Sequence, residues 1–315
     1  MRIFRDLNDL AEFKNSVVTI GTFDGVHIGH QKILKKLNNE ASSVNGESIL
    51  FTFYPHPRMV VFPDSHNLKL IQTIDEKIES LGHYGLDNVI IYPFTKDFSR
   101  LTAFEFIRDI LVNRLKVKKL VIGYDHQFGR NREGNIEFLR ESAEMFDFDV
   151  IEISAQEVDE VNVSSTKIRN SILEGNIDKA NDFLGRCFRI TGEVVKGNRL
   201  GREIGFPTLN LQLSNTHKII PADGVYAVEI ELLNGKHQGM MNIGSNPTVN
   251  NSDDLEKKYE VHVFDFDKEV YGKNVSILFH QFIRKEKTFD NLEELKSQII
   301  EDEKNIRHYF SSSTD

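Results

Sequence analysis

The chain has 315 residues, 39% of them hydrophobic and 28% charged, with a formal net charge of −9. This is the composition of a globular protein long enough for two domains, and its acidic balance argues against broad binding to nucleic-acid backbones. No apolar run approaches the roughly 18 residues of a membrane span, the first residues lack a signal peptide's apolar core, and the lone cysteine, Cys187, permits no intrachain disulfide. The expectation is a cytoplasmic protein with neither membrane nor nucleic-acid partners.

Up to about residue 185 strands and helices alternate. SVVTI (16–20) reads as a buried strand and HIGHQKILKKL as the helix after it. SILFTFYP (48–55) is a strand, and the two prolines around His56 predict an extended exit from it. TIDEKIESLGHYG (73–85) is a helix with Thr73 and Glu76 in capping-box spacing. NVIIYPF is a strand, TAFEFIRDILVNRLK (102–116) a helix, KLVIGY a strand, NIEFLRESAEMF a helix and DVIEIS a strand. SSTKIRNSILEG (164–175) opens on capping residues and closes on glycine. Such alternation predicts an α/β domain with a parallel, Rossmann-like sheet, whose ligands sit at the carboxyl ends of the strands.

After NIDKANDFLGR (176–186) the period changes. FRITGEVV, PTLNLQL, GVYAVEIEL, KYEVHVFDF and VSILFHQFI read as strands between Gly, Asn and Pro turns, with a tight-hairpin signal at Leu233-Asn234-Gly235-Lys236. NIGSNPT (242–248) reads as a turn, FIRKEKTFDNLEEL (282–295) as a mobile flap, and a helix returns only in NLEELKSQIIEDEKNIRHYF. The second half is therefore expected to be an antiparallel β-barrel or sandwich with a C-terminal helix, and the boundary falls near 185, giving domains 1–185 and 186–315.

Four N-terminal segments carry candidate chemistry. In GTFDGVHIGH (21–30), Gly21, Phe23 and Asp24 precede two imidazoles, His27 and His30, at a helix start. Backbone N–H groups and the helix dipole favour an anion there, and imidazoles can donate to phosphate oxygens. TFYPHP (52–57) is a rigid strand exit carrying His56. GYDHQFGRNREG (123–134) offers Asp125 and Arg132 in a glycine-rich loop that can wrap a nucleotide. VSSTKIR (163–169) brings Ser165, Thr166 and Arg169 to a helix N-terminus. Taken singly, each is also what a capped helix or a polar surface loop looks like.

In the second half, GEVVKGNRLGREIGFPTLNL (192–211) combines Gly197, Gly201 and Gly205 with Arg199 and Arg202, then Pro207, Thr208 and Asn210. Glycines let a loop approach phosphates closely. Thr208 and Asn210 share a strand face, and a hydroxyl beside an amide oxygen suits Mg²⁺. Glu260 in KYEVHVFDF is a candidate general base for an attacking hydroxyl. NIGSNPT offers backbone donors, Arg284 is a candidate to pair with phosphate, and Phe289 to lie against a flat ring.

In order, GxFDGxHxGH, a strand ending PHP, GxDxxFGxxRxG and SSTxIR resemble the FAD synthetase half of the bacterial bifunctional riboflavin kinase/FMN adenylyltransferases. His126 stands where that family usually carries an aromatic residue. GxVVxGxxxGRxxGFPTxN, GVYA, NIGxxPT, the Glu-x-His strand and FIRxExxF resemble its riboflavin kinase half, with PTLN in place of the usual PTAN. The resemblance spans essentially the whole chain. It implies phosphorylation of riboflavin to FMN by ATP and Mg²⁺ in the C-terminal domain, with Glu260 catalytic and Thr208 and Asn210 on the metal. It further implies adenylyl transfer from ATP to FMN in the N-terminal domain, giving FAD and pyrophosphate. Gly197, Gly201, Arg202, Gly205 and Pro207 would then hold the kinase's ATP, and Asn242, Arg284 and Phe289 the flavin. A nucleotidyltransferase of other substrate, whose barrel only senses flavin, is the alternative. A tRNA-linked adenylyl-transferring enzyme is a third reading, disfavoured by the acidic charge and by the lack of a KMSKS-like segment.

Overall fold

The computed structural model describes residues 1–62, 68–124, 126–154, 163–197, 201, 204–213, 215–232, 235–245 and 257–312. The expected contributions of Asp125, Arg199 and Arg202, the Leu233-Asn234 half of the hairpin and residues 246–248 lie outside them. The chain divides into two compact units, Met1–Ser165 and Thr166–Asp315.

The first unit is a six-stranded parallel sheet. Its strands are β1 (Arg2–Phe4), β2 (Ser16–Ile20), β3 (Ser48–Tyr54), β4 (Asn88–Pro93), β5 (Val117–Gly123) and β6 (Asp149–Ile153). They lie in the order β1-β4-β3-β2-β5-β6. The helices are α1 (Ile28–Ser43), α2 (Pro57–Val61), α3 (Ile74–Gly82), α4 (Ala103–Glu105, continuing as the π-helical Phe106–Val112) and α5 (Ile136–Phe146). β2 is buried along its whole length, as expected of a parallel strand covered on both faces. One core contains Val18, Ile49, Phe51, Ile107 and Leu120, and the other Val17, Leu34, Leu37, Leu50 and Leu81. Each fully buried aliphatic or aromatic side chain stabilises by roughly 1.5–3 kcal/mol.

Three local features depart from the sequence expectations. β1 pairs in parallel with β4 at the sheet edge, and is too short for a periodicity signal. The exit from β3 is a helical turn, α2: His56 Nδ1 accepts from the Arg58 N–H at 3.2 Å. Pro57 takes the first helical position, where its missing N–H costs nothing. The segment after Thr102 begins with both bonds of a capping box and then widens, with the Asn113 N–H reaching back to Arg108 O and Leu115 N–H to Ile110 O.

The second unit opens with α6 (Ser165–Leu173, its first residue ending the first unit) and α7 (Ile177–Leu184), and Gly185 closes α7 in the left-handed conformation. A closed barrel follows, built from β7 (Phe188–Val195), β8 (Leu209–Gln212), β9 (Gly224–Leu232), β10 (Gly235–Ser245), β11 (Lys257–Val263) and β12 (Asn274–Arg284). The order is β10-β11-β8-β7-β12-β9, so the structure selects the barrel over the sandwich. Asn242–Ser245, expected in a turn, belong to β10. Inside are Phe188, Ile190, Tyr226, Met241, Val261 and Phe279, all buried. The C-terminal helix α8 (Leu292–Ser312) lays Ile306 and Phe310 on the outer face of β9 and β10, against Val225, Ala227 and Met240.

Candidate active sites

In the first unit β2 lies between β3 and β5, where the chain turns from building the sheet in one direction to building it in the other. At such a switch point neighbouring loops part at the carboxyl ends of the strands and leave a crevice. The loop Gly21–His27 leaves β2 there. His27 caps α1: its Nδ1 accepts from the His30 N–H at 3.4 Å. With Nδ1 accepting, the neutral ring carries its proton on Nε2, which is then a donor. The two imidazoles stack, centroids 3.6 Å apart, and Phe23 stacks on the other side of His30 at 4.5 Å.

The rest of the loop is fixed from below. Both Asp24 carboxylate oxygens accept from the Ile71 N–H at 3.1 Å, and one also from Gln72 N–H at 3.2 Å. Ser165 Oγ donates to the Asp24 carbonyl at 3.0 Å, which joins the fourth motif to the first. Gly25 sits at φ 92° with Ile71 against it, a position that tolerates no ordinary side chain. Gly21, Phe23, Asp24, His27, His30 and Ser165 are thus brought together. Thr166 and Arg169 follow on α6. In the third motif Phe128 pairs with Gly134, His126 lies beside Phe128 with centroids 5.8 Å apart, and Arg132 is exposed.

In the barrel, register does the assembling. Glu260 of β11 pairs with Asn210 of β8 on one side and Asn242 of β10 on the other. Directly paired residues put their side chains on the same face about 5 Å apart, here the outer face, since the neighbouring Val261 points inward. Among the described residues the Glu260 carboxylate has no hydrogen-bonding or charged partner. His262, two residues on, donates Nδ1–H to the Pro207 carbonyl at 2.8 Å and packs edge-on against Phe206. That contact fixes the chain just before Thr208.

The glycines shape the same place. A Cβ on Gly197 would overlap the Asn210 amide, and one on Gly201 would overlap the Phe206 carbonyl and come within 3.4 Å of Thr208 Oγ1. Bare backbone therefore lies against both oxygen-bearing side chains. A hydroxyl, an amide oxygen and a nearby carboxylate, with glycine backbone around them, form a hard, all-oxygen donor set that fits Mg²⁺. Gly205 has φ 91° in the turn before Pro207.

Arg284 is placed differently from Asn242. Its Nε and Nη2 grip the Asp302 carboxylate of α8 at 2.8–3.0 Å, and Nη1 donates to the Lys285 carbonyl at 3.0 Å. Asp302 is only 2% exposed, so this bidentate pair ties the end of β12 to the helix. Phe289 lies with its ring centroid 6.0 Å from the guanidinium carbon.

Two residues were passed over in the sequence. Asp302 sits on the α8 stripe with Ile306 and Phe310, and Lys77 on the α3 face with Ile74 and Leu81. A charge on an apolar stripe is the signal that marks each. Lys77 is buried, and its Nζ donates to the Thr22 carbonyl at 2.7 Å. Burial pulls its pKa down to about 8, against an opposing pull from the Asp24 carboxylate.

Residues 9–167 match the family described as FAD synthetase, and residues 184–310 the family described as riboflavin kinase. A bifunctional riboflavin kinase/FMN adenylyltransferase of Buchnera aphidicola is 36% identical over 99% of both chains. One from Escherichia coli K12 is 36% identical over 98% of both. A crystal structure from Streptococcus pneumoniae, described as a macrolide-efflux protein, superposes with TM-score 0.87 at 32% identity, over 97% of this chain and 98% of its own. Among the described residues here, no helix is long and apolar enough to cross a membrane.

Proposed function

The chain belongs to the bifunctional riboflavin kinase/FMN adenylyltransferase family, and from that premise we propose how its residues divide the two reactions. The kinase occupies 186–315 and the adenylyltransferase 1–185. The protein works in the cytoplasm on small molecules, as a monomer or weak homo-oligomer.

In the kinase, the riboflavin 5′-hydroxyl attacks the γ-phosphorus of ATP, the bond to the β-phosphate oxygen breaks, and ADP leaves. Glu260 takes the hydroxyl proton. Among the described residues no partner competes for its carboxylate, which suits it to this role. Thr208 and Asn210 would hold Mg²⁺, which when bound offsets the charge on the phosphates. Gly197, Gly201, Arg202, Gly205 and Pro207 shape the phosphate loop. Asn242 and Phe289 face the flavin, and Arg284 serves it by holding the flap end of β12 on α8.

In the adenylyltransferase, a phosphate oxygen of FMN attacks the α-phosphorus of a second ATP and pyrophosphate leaves. No covalent intermediate with the enzyme is required, because the nucleophile is already ionised. The work is positioning and charge stabilisation. His27 donates from Nε2, and His30 and the α1 N-terminus face the same phosphates. Gly21, Phe23, Asp24, Asp125, Arg132, Ser165, Thr166 and Arg169 complete the nucleotide site.

The observation that carries this reading is the row Asn242–Glu260–Asn210, a general base flanked by two amides on one barrel face. It is tested by assaying FMN formation from riboflavin separately from FAD formation from supplied FMN, in variants of each site.

A further inference from the structure

The turn between β2 and α1 is held in a costly shape. Phe23 has φ 46° and Val26 φ 39°, with Gly25 at 92° between them. Left-handed backbone is unfavourable for any residue with a Cβ, and most of all for a β-branched one. Such a turn persists only where its surroundings over-determine it. Here the Asp24 carboxylate is held by the Ile71 and Gln72 amides. Gln31 Nε2 donates to Val26 O at 3.0 Å. The Thr22 carbonyl accepts twice, from Thr52 Oγ1 at 3.2 Å and from Lys77 Nζ at 2.7 Å.

Lys77 is the unusual member. It is 7% exposed, and a buried ammonium is costly unless it is engaged. On the α3 stripe beside Leu81, a leucine or methionine would serve packing better. The lysine is explained by what its Nζ does at Thr22.

We propose that Lys77 is a positioning residue for adenylyl transfer: its ammonium, seated on the Thr22 carbonyl and facing Asp24, holds the Thr22–His27 turn in the shape that presents His27 and the α1 N-terminus to the nucleotide. This rests on the adenylyltransferase reading of the first unit.

The groups around Lys77 set when it is charged. Asp24 faces it from the turn and favours the charge. Glu76 beside it on α3 is turned to the Thr73 N–H at 3.0 Å. Tyr54 and His56 line a small cavity together with Asp24, Gln72 and Lys77. Burial outweighs Asp24, and the ammonium gives up its proton around pH 8. A neutral amine loses its attraction to Asp24 and makes a weaker bond to Thr22. Adenylyl transfer should therefore fade above about pH 8, while the kinase in the same chain does not share the cause.

The test follows FAD formation from supplied FMN, from about pH 6 to about pH 10, in the full-length wild type, Lys77→Met and Lys77→Arg. FMN formation from riboflavin is run in parallel on the same samples. The wild-type kcat for FAD should fall above an inflection near pH 8. Lys77→Met should lower that kcat about tenfold or more and flatten the profile, with the KM for FMN little moved. Lys77→Arg, which stays charged, should hold its rate across the alkaline range. FMN formation should be the same in all three.

A Lys77→Met protein with wild-type kcat and profile overturns the inference, and so does a Lys77→Arg protein that loses its alkaline rate as the wild type does. No FAD from the wild type at any pH overturns the adenylyltransferase reading and the inference with it. FAD from all three proteins at one kcat and one profile overturns the inference alone.

Discussion

Glu260 stands directly opposite Asn210 in the β8–β11 pair, on the outer face of the barrel. A candidate base and a candidate metal ligand are thus held at a fixed spacing by backbone register, not by a loop. Glu260→Ala should abolish FMN formation, by about 10²–10⁴-fold for a lost general base. It should leave FAD formation from supplied FMN intact. Glu260→Gln, which keeps the size and loses the base, should behave in the same way.

His30 is sandwiched between Phe23 and His27. His30→Ala removes the middle ring and should show the opposite pattern: FMN accumulates from riboflavin, and supplied FMN is not converted. A folded His30→Ala protein that has lost both activities would contradict the separation of the two sites.

Gly197 lies flat against the Asn210 amide. Gly197→Ala should displace that amide, lower FMN formation at least tenfold and raise the Mg²⁺ concentration needed for half-maximal rate. A magnesium titration of the variant beside wild type reads this directly. Asn210→Ala should raise the Mg²⁺ requirement in the same way.

Arg284 and Asp302 make a buried, bidentate pair. Arg284→Ala leaves the buried Asp302 charge with only the Gln298 amide donating to it at 3.0 Å, and breaking such a buried pair typically costs about 3–5 kcal/mol. Denaturant unfolding should show that loss. Replacing both partners with apolar residues of similar size should recover most of the stability. If Arg284→Ala weakened riboflavin binding with no loss of stability, its role would be direct contact with the ligand.

Lys77 makes an opposite prediction for stability than for activity. Its folded-state value of about 8 lies below the ordinary 10.5, so the unfolded chain binds the extra proton in that window. Stability of the first unit should therefore rise as the pH goes from about 8 to 10.5, by up to about 3 kcal/mol. Thermal unfolding across this range checks the sign. A rise in stability alongside a fall in FAD formation separates loss of positioning from loss of fold.

Much of this was legible in the sequence because local and tertiary preferences agree. SVVTI is a strand over the residues expected, and the Thr73–Glu76 capping box makes both of its bonds. The even spacing of Thr208 and Asn210, and of Glu260 and His262, fixes which of them share a face. Periodicity does not say which strands neighbour each other, so the meeting of Glu260 with both Asn210 and Asn242 emerges only from the barrel order. Asn242–Ser245 looked like a turn because Gly and Asn are turn formers, yet their backbones pair with 257–260. Lys77 and Asp302 read as surface charges by type. Only their packing shows that each is buried against specific partners, Thr22 and Asp24 for Lys77, Arg284 and Gln298 for Asp302.

The most direct measurement is chromatography of a reaction containing the purified chain, riboflavin, ATP and Mg²⁺. FMN should form first and then FAD, with Glu260→Ala blocking the first step and His30→Ala the second. Absence of both products, with supplied FMN also left unconverted, would contradict both site assignments.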